Sequence, residues 1–439
     1  MTAEVSDPFM GVEAPWEDHL RYPNVVLEDG VYRLWYGTRD FACYAESDDA
    51  VTWRRPDIGI HEFEGIRNTN ILFGAGISPQ PDYFNLASVF VDPSAPSQQK
   101  YKALYHRKVN RQVIEAYEAR YPGEISPQYQ EGADEDLERT AFAVGGAYSP
   151  DGIRWTPYPL PLMLHRADTH NIAYYDEARA TYVGYFRTHV FRRRSIGRSE
   201  TDDFAHFPLP ETIIWPDPGM NTSEVWYSIC RTAYPGVPDY HMMFGHKWRI
   251  TDDLWHHRLA TSPDGVLRGF VPGDDVIPCG EGRSWNDGSM AVGTGMVELP
   301  RDRVGMPATG FHVPHNHPRW RPLGQFAWVS WQRGRIVALR AAEHGEFTSK
   351  EMSFEGNSLR LNVRTKHVGS VQVEAVRRRG KDVSPIEGRT FEDCDPISGD
   401  CLDQVVTWRG NPAIGHHPED SVSFRVKLSY GELFSMRFG

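Results

Sequence analysis

Six carboxylates stand at or just ahead of five short, apolar, strand-like segments that recur along the chain: Glu17 and Asp18, Asp82, Asp168, Glu224 and Asp287. Carboxylates crowded into one pocket push each other's proton affinities apart, which supplies an acid and a base from one residue type. A pair flanking a glycosidic bond, about 5 to 9 Å apart, hydrolyses it with retention or inversion. Asp168, Glu224 and Asp287 are the candidate catalytic set. Taken one at a time, each also reads as a turn cap, because acidic residues are common near strand starts.

A second group of residues falls in loops that return to the same end of those segments. It comprises Arg39 and Asp40; Arg187, His189 and Arg192; His246, Lys247 and Trp248; and His312, His315 and His317. Arginine and imidazole donors beside tryptophan faces suit sugar hydroxyls and ring C–H surfaces, and a planar guanidinium also binds a carboxylate in bidentate fashion. Asp18, Arg39, Asp40, Arg187, His189, His246, Trp248 and His315 are the candidate substrate-binding residues. The spacing His312-x-x-His315-x-His317 invites a zinc reading. It lies in a loop, with no Cys or carboxylate at ligand spacing, so substrate contact is preferred and no metal or other cofactor is expected. The acidic run Glu392 to Asp400 has the charge of a calcium loop without EF-hand spacing, and reads as a hairpin end.

The elements that carry these residues come from a repeat. Ser47-Asp48-Asp49, Ser149-Pro150-Asp151-Gly152, Thr201-Asp202-Asp203 and Ser262-Pro263-Asp264-Gly265 are copies of one turn. Ahead of the copies lie aromatic strands at Val31 to Tyr36, Tyr101 to Tyr105, Tyr182 to Phe186 and Tyr240 to Phe244. Further upstream are inner strands at Asn24 to Leu27, Ala87 to Val91, Asn171 to Tyr175 and Val225 to Cys230. A fifth, degenerate unit runs Ser289 to Leu299, Val304 to Phe311, Gln325 to Trp331 and on into Arg335 to Arg340. Five antiparallel meanders predict an all-β chain whose first 345 residues form a five-bladed β-propeller. In that topology the repeated turns sit at the end away from the carboxylates, so their aspartates are structural. The second blade carries an insert at about 108–139 with helical stretches at Val113 to Glu118 and Glu135 to Glu138, reading as a lid over the axial end or as an oligomer contact. Residues 346–439 lose the repeat and read as a small C-terminal β-sandwich.

Composition narrows the partners. A net charge of −12 argues against nucleic acid. No run of eighteen apolar residues is present, which argues against a membrane span, and Met1 to Met10 lacks the pattern of a secretion signal. Five scattered cysteines read as free thiols in a reducing compartment. The expectation is a cytoplasmic protein acting on a small molecule or oligosaccharide, with homo-oligomerisation left open.

The Ser-x-Asp-Gly-x-x-Trp turns resemble those of the five-bladed propeller glycoside hydrolases of families 32 and 43 and of related bacterial proteins. Phe391 to Ile397 and Val405 to Gly410 are similar to the appended β-sandwich of the latter. The family 32 signature at the first blade is replaced by Trp16-Glu17-Asp18-His19. The resemblance implies an aspartate nucleophile or base, a second aspartate stabilising the transition state, and a glutamate acid. By place the two aspartate roles fall on Asp168 and Asp287, either being the nucleophile or base and the other the stabiliser, and the acid role falls on Glu224, with Val225 and Trp226 as its apolar neighbours. Two other readings use the same scaffold: a lyase, epimerase or cyclase of a small-molecule pathway, and a sugar-binding module without catalysis.

Overall fold

The computed structural model describes all residues except 78–82, 128–141, 274, 317–322, 380 and 418–419. It is nearly all β, as expected, with one α-helix among the described residues, Arg111–Arg120. The chain divides into two compact units, Thr2–Ser330 and Met1 with Trp331–Gly439. Asp82, His317 and the second helical stretch expected in the insert lie outside the described residues.

The first unit contains five antiparallel sheets, the first four each a meander in chain order. The first is Arg21–Glu28, Val31–Gly37, Phe41–Ser47 and Ile71–Gly74. The second is Tyr83–Val91, Tyr101–Lys108, Phe142–Ser149 and Thr156–Pro157, and the third is Ile172–Asp176, Thr181–Val190, Arg193–Thr201 and Glu211–Ile214. Glu224–Tyr234, Val237–Arg249, Leu254–Ser262 and Gly269–Phe270 form the fourth. The fifth joins Ser289–Val292 and Val297–Leu299 to Arg303–Phe311, then Gln325–Gln332, and is finished by Glu4–Val5. Arg335 to Arg340, expected as the outer strand here, is not part of this sheet. Glu4 pairs Ser330 and Val5 pairs Val329 instead.

Each junction between successive sheets has its own apolar core. Trp35, Tyr83, Tyr101 and Tyr105 fill the first, Met163, Phe186 and Phe207 the second, and Tyr185, Trp226 and Met243 the third. Tyr227, Trp255, Ala291 and Phe311 join the fourth sheet to the fifth, while Val25, Tyr32, Val297 and Trp328 join the fifth back to the first. Burying one such large side chain stabilises by about 1.5–3 kcal/mol, so five cores of aromatics suffice to hold small sheets that would not stand alone.

The repeated turns are built alike. Asp49 Oδ1 accepts from Val51 N (2.8 Å) and Thr52 N (2.7 Å), Asp151 Oδ1 from Ile153 N (2.9 Å) and Arg154 N (2.8 Å), and Asp264 Oδ1 from Val266 N (2.9 Å) and Leu267 N (2.8 Å). These backbone donors hold the Asp49 carboxyl down at about 2. The turns also link sheets: Trp35 Nε1 donates to Gly152 O (2.7 Å) and Trp328 Nε1 to Ala50 O (2.8 Å).

The helix is capped by Asn110, whose side chain accepts from Val113 N (3.0 Å). Tyr121 just beyond it stacks on His206 at 3.7 Å, in the third repeated turn. The described part of the insert packs Tyr117 and Ile125 against Ala143 of the second sheet and against Leu164, which lies shortly ahead of Asp168.

The second unit is one antiparallel sheet of five strands, in the order Leu339–Thr348, Ser421–Phe438, Leu359–Arg379, Asp382–Pro385, with Asp400–Val405 pairing to Leu359–Arg379. Its strand Leu339–Thr348 pairs with Ser421–Phe438, which draws the unit's start ahead of residue 346. The two long strands break register between Thr365 and Ser370, and Leu361, Val373, Phe424 and Val426 pack with Trp408 and Ile414 in a single core. In the acidic run, Asp395 accepts from Thr407 Oγ1 (2.6 Å) and Gly410 N (2.8 Å), and Asp393 from Thr390 Oγ1 (2.7 Å), so these carboxylates serve the loop itself.

Candidate active site

The inner-strand starts and the ends of the second strands converge at one end of the first unit. The second and third strands of the third sheet meet there in a two-residue turn with both central residues left-handed, Phe191 (φ 49°) and Arg192 (φ 63°). That turn places Arg192 at an exposed tip and sets Arg194 opposite His189. Arg187, two residues before His189, is buried. Its Nη1 donates to Asp168, and its guanidinium lies 5.3 Å from the centre of the Tyr227 ring. The Arg194 guanidinium lies 4.7 Å from the same ring and 5.1 Å from that of Trp248. Tyr227 occupies a register break in the fourth sheet, where pairing skips from Trp226 to Ser228. A bulge of this kind re-aims a side chain that strict alternation would direct elsewhere.

Charge organises the cluster. Burial raises the proton affinity of Asp168, but the guanidinium charges of Arg187 and Arg194 and the hydrogen bond from Arg187 outweigh it and hold the carboxyl below its ordinary value. Arg194 is lowered by burial and by Arg187. His106 is pushed down to about 4, mainly by burial, with its Nε2 2.7 Å from Thr169 O. His189 is lowered by burial and by the charges of Arg187 and Arg194. The arrangement is an ionised carboxylate bordered by two guanidinium groups and neutral imidazoles.

Deeper along the inner strands the polar groups join different sheets. Tyr22, at the start of the first sheet, stacks on His170 of the third at 4.7 Å and 14°. Tyr22 is itself left-handed (φ 49°) directly before Pro23, a costly backbone state that Asn24 supports by donating from Nδ2 to Tyr22 O (2.7 Å). Cys230 Sγ lies 3.2 Å from His170 Nδ1 and donates to Val292 O (3.1 Å). His246 Nδ1 is 2.9 Å from Ser228 Oγ, and its ring is 4.7 Å from that of His257. Burial drives His246 well below the ordinary histidine range.

Among the expected site residues, Asp168, Arg187, His189 and Trp248 meet in this cluster. His315 joins them, its ring 4.7 Å from Tyr227, 5.1 Å from Trp248 and 4.8 Å from Trp255. His246 is near but buried. Glu224 sits at the first position of its strand with its carboxylate 3.0 Å from Lys247 Nζ, so the apolar setting expected for it from Val225 and Trp226 is replaced by an ion pair. Trp226 points away, stacked on Phe270 at 4.9 Å. Asp287 is half-buried and its N–H closes a turn on Ser284 O (3.3 Å). Asp18 and Arg39 pair with each other at 3.0 Å on the surface, and Asp40 is exposed. Glu17, read as an axial acid, is instead buried against Arg55 (2.8 Å) and Tyr36 (2.5 Å). His312 is exposed, and among the described residues no three His, Cys, Asp or Glu side chains are grouped to hold a metal. Tyr227, Arg194, Tyr22, His106 and His170 are members that the sequence reading did not single out. The His189–Arg194 pairing would have shown Arg194 had the turn been fixed at Phe191–Arg192.

No family model matches the sequence, and no curated protein matches it. Solved structures do. A glycosyl hydrolase from Bacteroides ovatus aligns with a TM-score of 0.50 at 11% identity, over 76% of this chain and 95% of that one. An N-acetylgalactosamine deacetylase from F. plautii, solved with blood group B trisaccharide, gives 0.49 at 12% identity over 76% and 94%. A thermostable family-43 glycoside hydrolase gives 0.45 at 10% over 72% and 90%. The chain is thus similar in fold to the Bacteroides ovatus glycosyl hydrolase. Among the described residues, no helix is long and apolar enough to cross a membrane.

Proposed function

We propose that the first unit is a five-bladed β-propeller closed by Glu4–Val5, followed by a small β-sandwich, and that it acts as a glycoside hydrolase on a small saccharide or glycoside. The observation that carries this reading is Asp168: a half-exposed carboxylate kept ionised by Arg187 beside the aromatic faces of Tyr227, Trp248 and His315. Asp168 is the nucleophile or base. Glu224 is the proposed acid, released from Lys247 when substrate enters, and Asp287 the proposed stabiliser of an oxocarbenium-like transition state. Five unpaired thiols, three of them buried, support the cytoplasmic location proposed with it.

The Glu224–Lys247 ion pair favours a second reading. If that pair persists, proton transfer falls to Asp168 and the neutral histidines around it, as in a lyase, epimerase or cyclase. A panel of nitrophenyl glycosides and small oligosaccharides separates the two. Hydrolysis that falls by about 10²–10⁴ in both Asp168→Asn and Glu224→Gln supports the glycosidase. Hydrolysis unaffected by Glu224→Gln removes Glu224 from the mechanism, and a folded protein silent across the panel favours the second reading.

A further inference from the structure

Arg187 has more hydrogen-bonding capacity than its surroundings use. Its side chain is 5% exposed, and Nη1 is taken by Asp168. Nε and Nη2 are buried and have no hydrogen-bond partner among the described residues. Those two N–H groups lie along one edge of the planar guanidinium and point the same way, in the geometry that receives two oxygens of one oxyanion side by side. A buried donor left without a partner is costly, so two together on one buried cation mark a place built to be filled.

The surroundings fit an anion attached to a sugar. Arg194 brings a second guanidinium to the same Tyr227 ring, and its Nη1 is also buried without a hydrogen-bond partner among the described residues. Two like charges held near one ring repel, and an anion between them relieves that repulsion. Trp248 and His315 continue the aromatic surface from Tyr227, offering faces for ring C–H groups. Asp168, on the other edge of Arg187, repels an anion from its own side and so directs it to the Nε/Nη2 edge.

We infer that this cluster is an oxyanion subsite and that the substrate is an acidic saccharide, bearing a carboxylate or a phosphate monoester, whose oxygens dock on Nε and Nη2 of Arg187 with Arg194 as the second cation. The substrate class rests on the saccharide reading above; the oxyanion site itself does not depend on hydrolysis.

Calorimetric titration of the full chain with galacturonate, glucuronate, glucose 6-phosphate, galactose and glucose tests it. At least one acidic sugar is expected to bind about tenfold or more tightly than its neutral counterpart, with the gap shrinking as salt is raised. The uronate and phosphate arms identify the oxyanion. Arg187→Met and Arg194→Gln, each with a wild-type thermal melt, are expected to erase the preference; Arg194→Gln keeps the Asp168 ion pair and serves if Arg187→Met does not fold. Equal binding of acidic and neutral sugars, or no acidic sugar bound up to about 10 mM, overturns the inference. Acidic sugars that bind while every glycoside stays intact leave the subsite standing and remove the glycosidase. Hydrolysis of neutral glycosides without acidic preference does the reverse.

Discussion

Arg187 and Asp168 form a lopsided ion pair: the guanidinium is 5% exposed and the carboxylate 48% exposed. Removing Asp168 strands a buried cation, whereas removing Arg187 leaves an anion that water already reaches. Asp168→Ala is therefore expected to lower the free energy of unfolding by about 1–3 kcal/mol more than Arg187→Met, which keeps the packing of the arginine stem. The sign of the pH dependence follows from the depressed carboxyl. Its contribution is complete above the unfolded value of about 3.9 and is lost as pH falls through the lower folded one. Urea titrations should show the gap between wild type and Asp168→Ala closing in acid; a gap that widens there contradicts the assignment.

Buried histidines set a second pH window, with the same sign at higher pH. Burial pushes His257 down from 6.5 to about 4. An unfolded chain takes up that proton near 6.5 while the folded chain refuses it until about 4, so stability falls as pH drops through this interval. His257 alone accounts for about 3 kcal/mol of that fall. His257→Gln is expected to flatten the stability profile between about pH 6.5 and 4. A mutant profile parallel to wild type excludes His257 as the source.

The repeated turns should separate stability from catalysis. Gly152 has φ +78°, and a Cβ there would stand 2.6 Å from Trp35 Cζ2. Gly152→Ala combines left-handed strain with a clash against a buried ring, and is expected to cost about 2–4 kcal/mol. Because the turn is at the end of the sheets away from Asp168, turnover per folded molecule should be unchanged. Active-site titration alongside thermal melts checks both parts, and a fall in turnover without a fall in melting temperature refutes the division.

What could be read from the sequence depended on how local its causes are. Asp49, Asp151 and Asp264 hold their own backbone two and three residues ahead, so the turn word is complete within one stretch of chain. The closing strand is only Glu4–Val5, too short for a period, and its partner lies more than three hundred residues on. For the same reason Arg335 to Arg340, continuous with the strand before it, was the natural and mistaken choice. Asp168, Arg187 and Trp248 were legible because topology alone sends inner-strand starts and second-strand ends to one face. Tyr227 was not, since a bulge between Trp226 and Ser228 decides its direction, and neither the bulge nor the Glu224–Lys247 pair leaves a mark in composition.

Asn24 ties three sheets together beneath the cluster. Its Oδ1 accepts from Val89 N of the second sheet (3.2 Å) and from Thr294 Oγ1 beside the fifth (2.5 Å), while Nδ2 donates to Tyr22 O (2.7 Å). The residue is fully buried, so water cannot replace those partners. Asn24→Ala leaves a backbone N–H and a hydroxyl unsatisfied and frees the strained Tyr22, at an expected cost of about 3 kcal/mol. Thr294→Val removes only one of these bonds and should cost less, about 1 kcal/mol. Tyr22 reports the consequence for the site: once Asn24 no longer holds its carbonyl, the stack on His170 loosens. The expected outcome is a fall in binding or turnover for Asn24→Ala that exceeds the one for Thr294→Val, measured at a temperature where both variants are fully folded. Equal losses would place the importance of Asn24 in the joint to the fifth sheet, and not in the positioning of Tyr22.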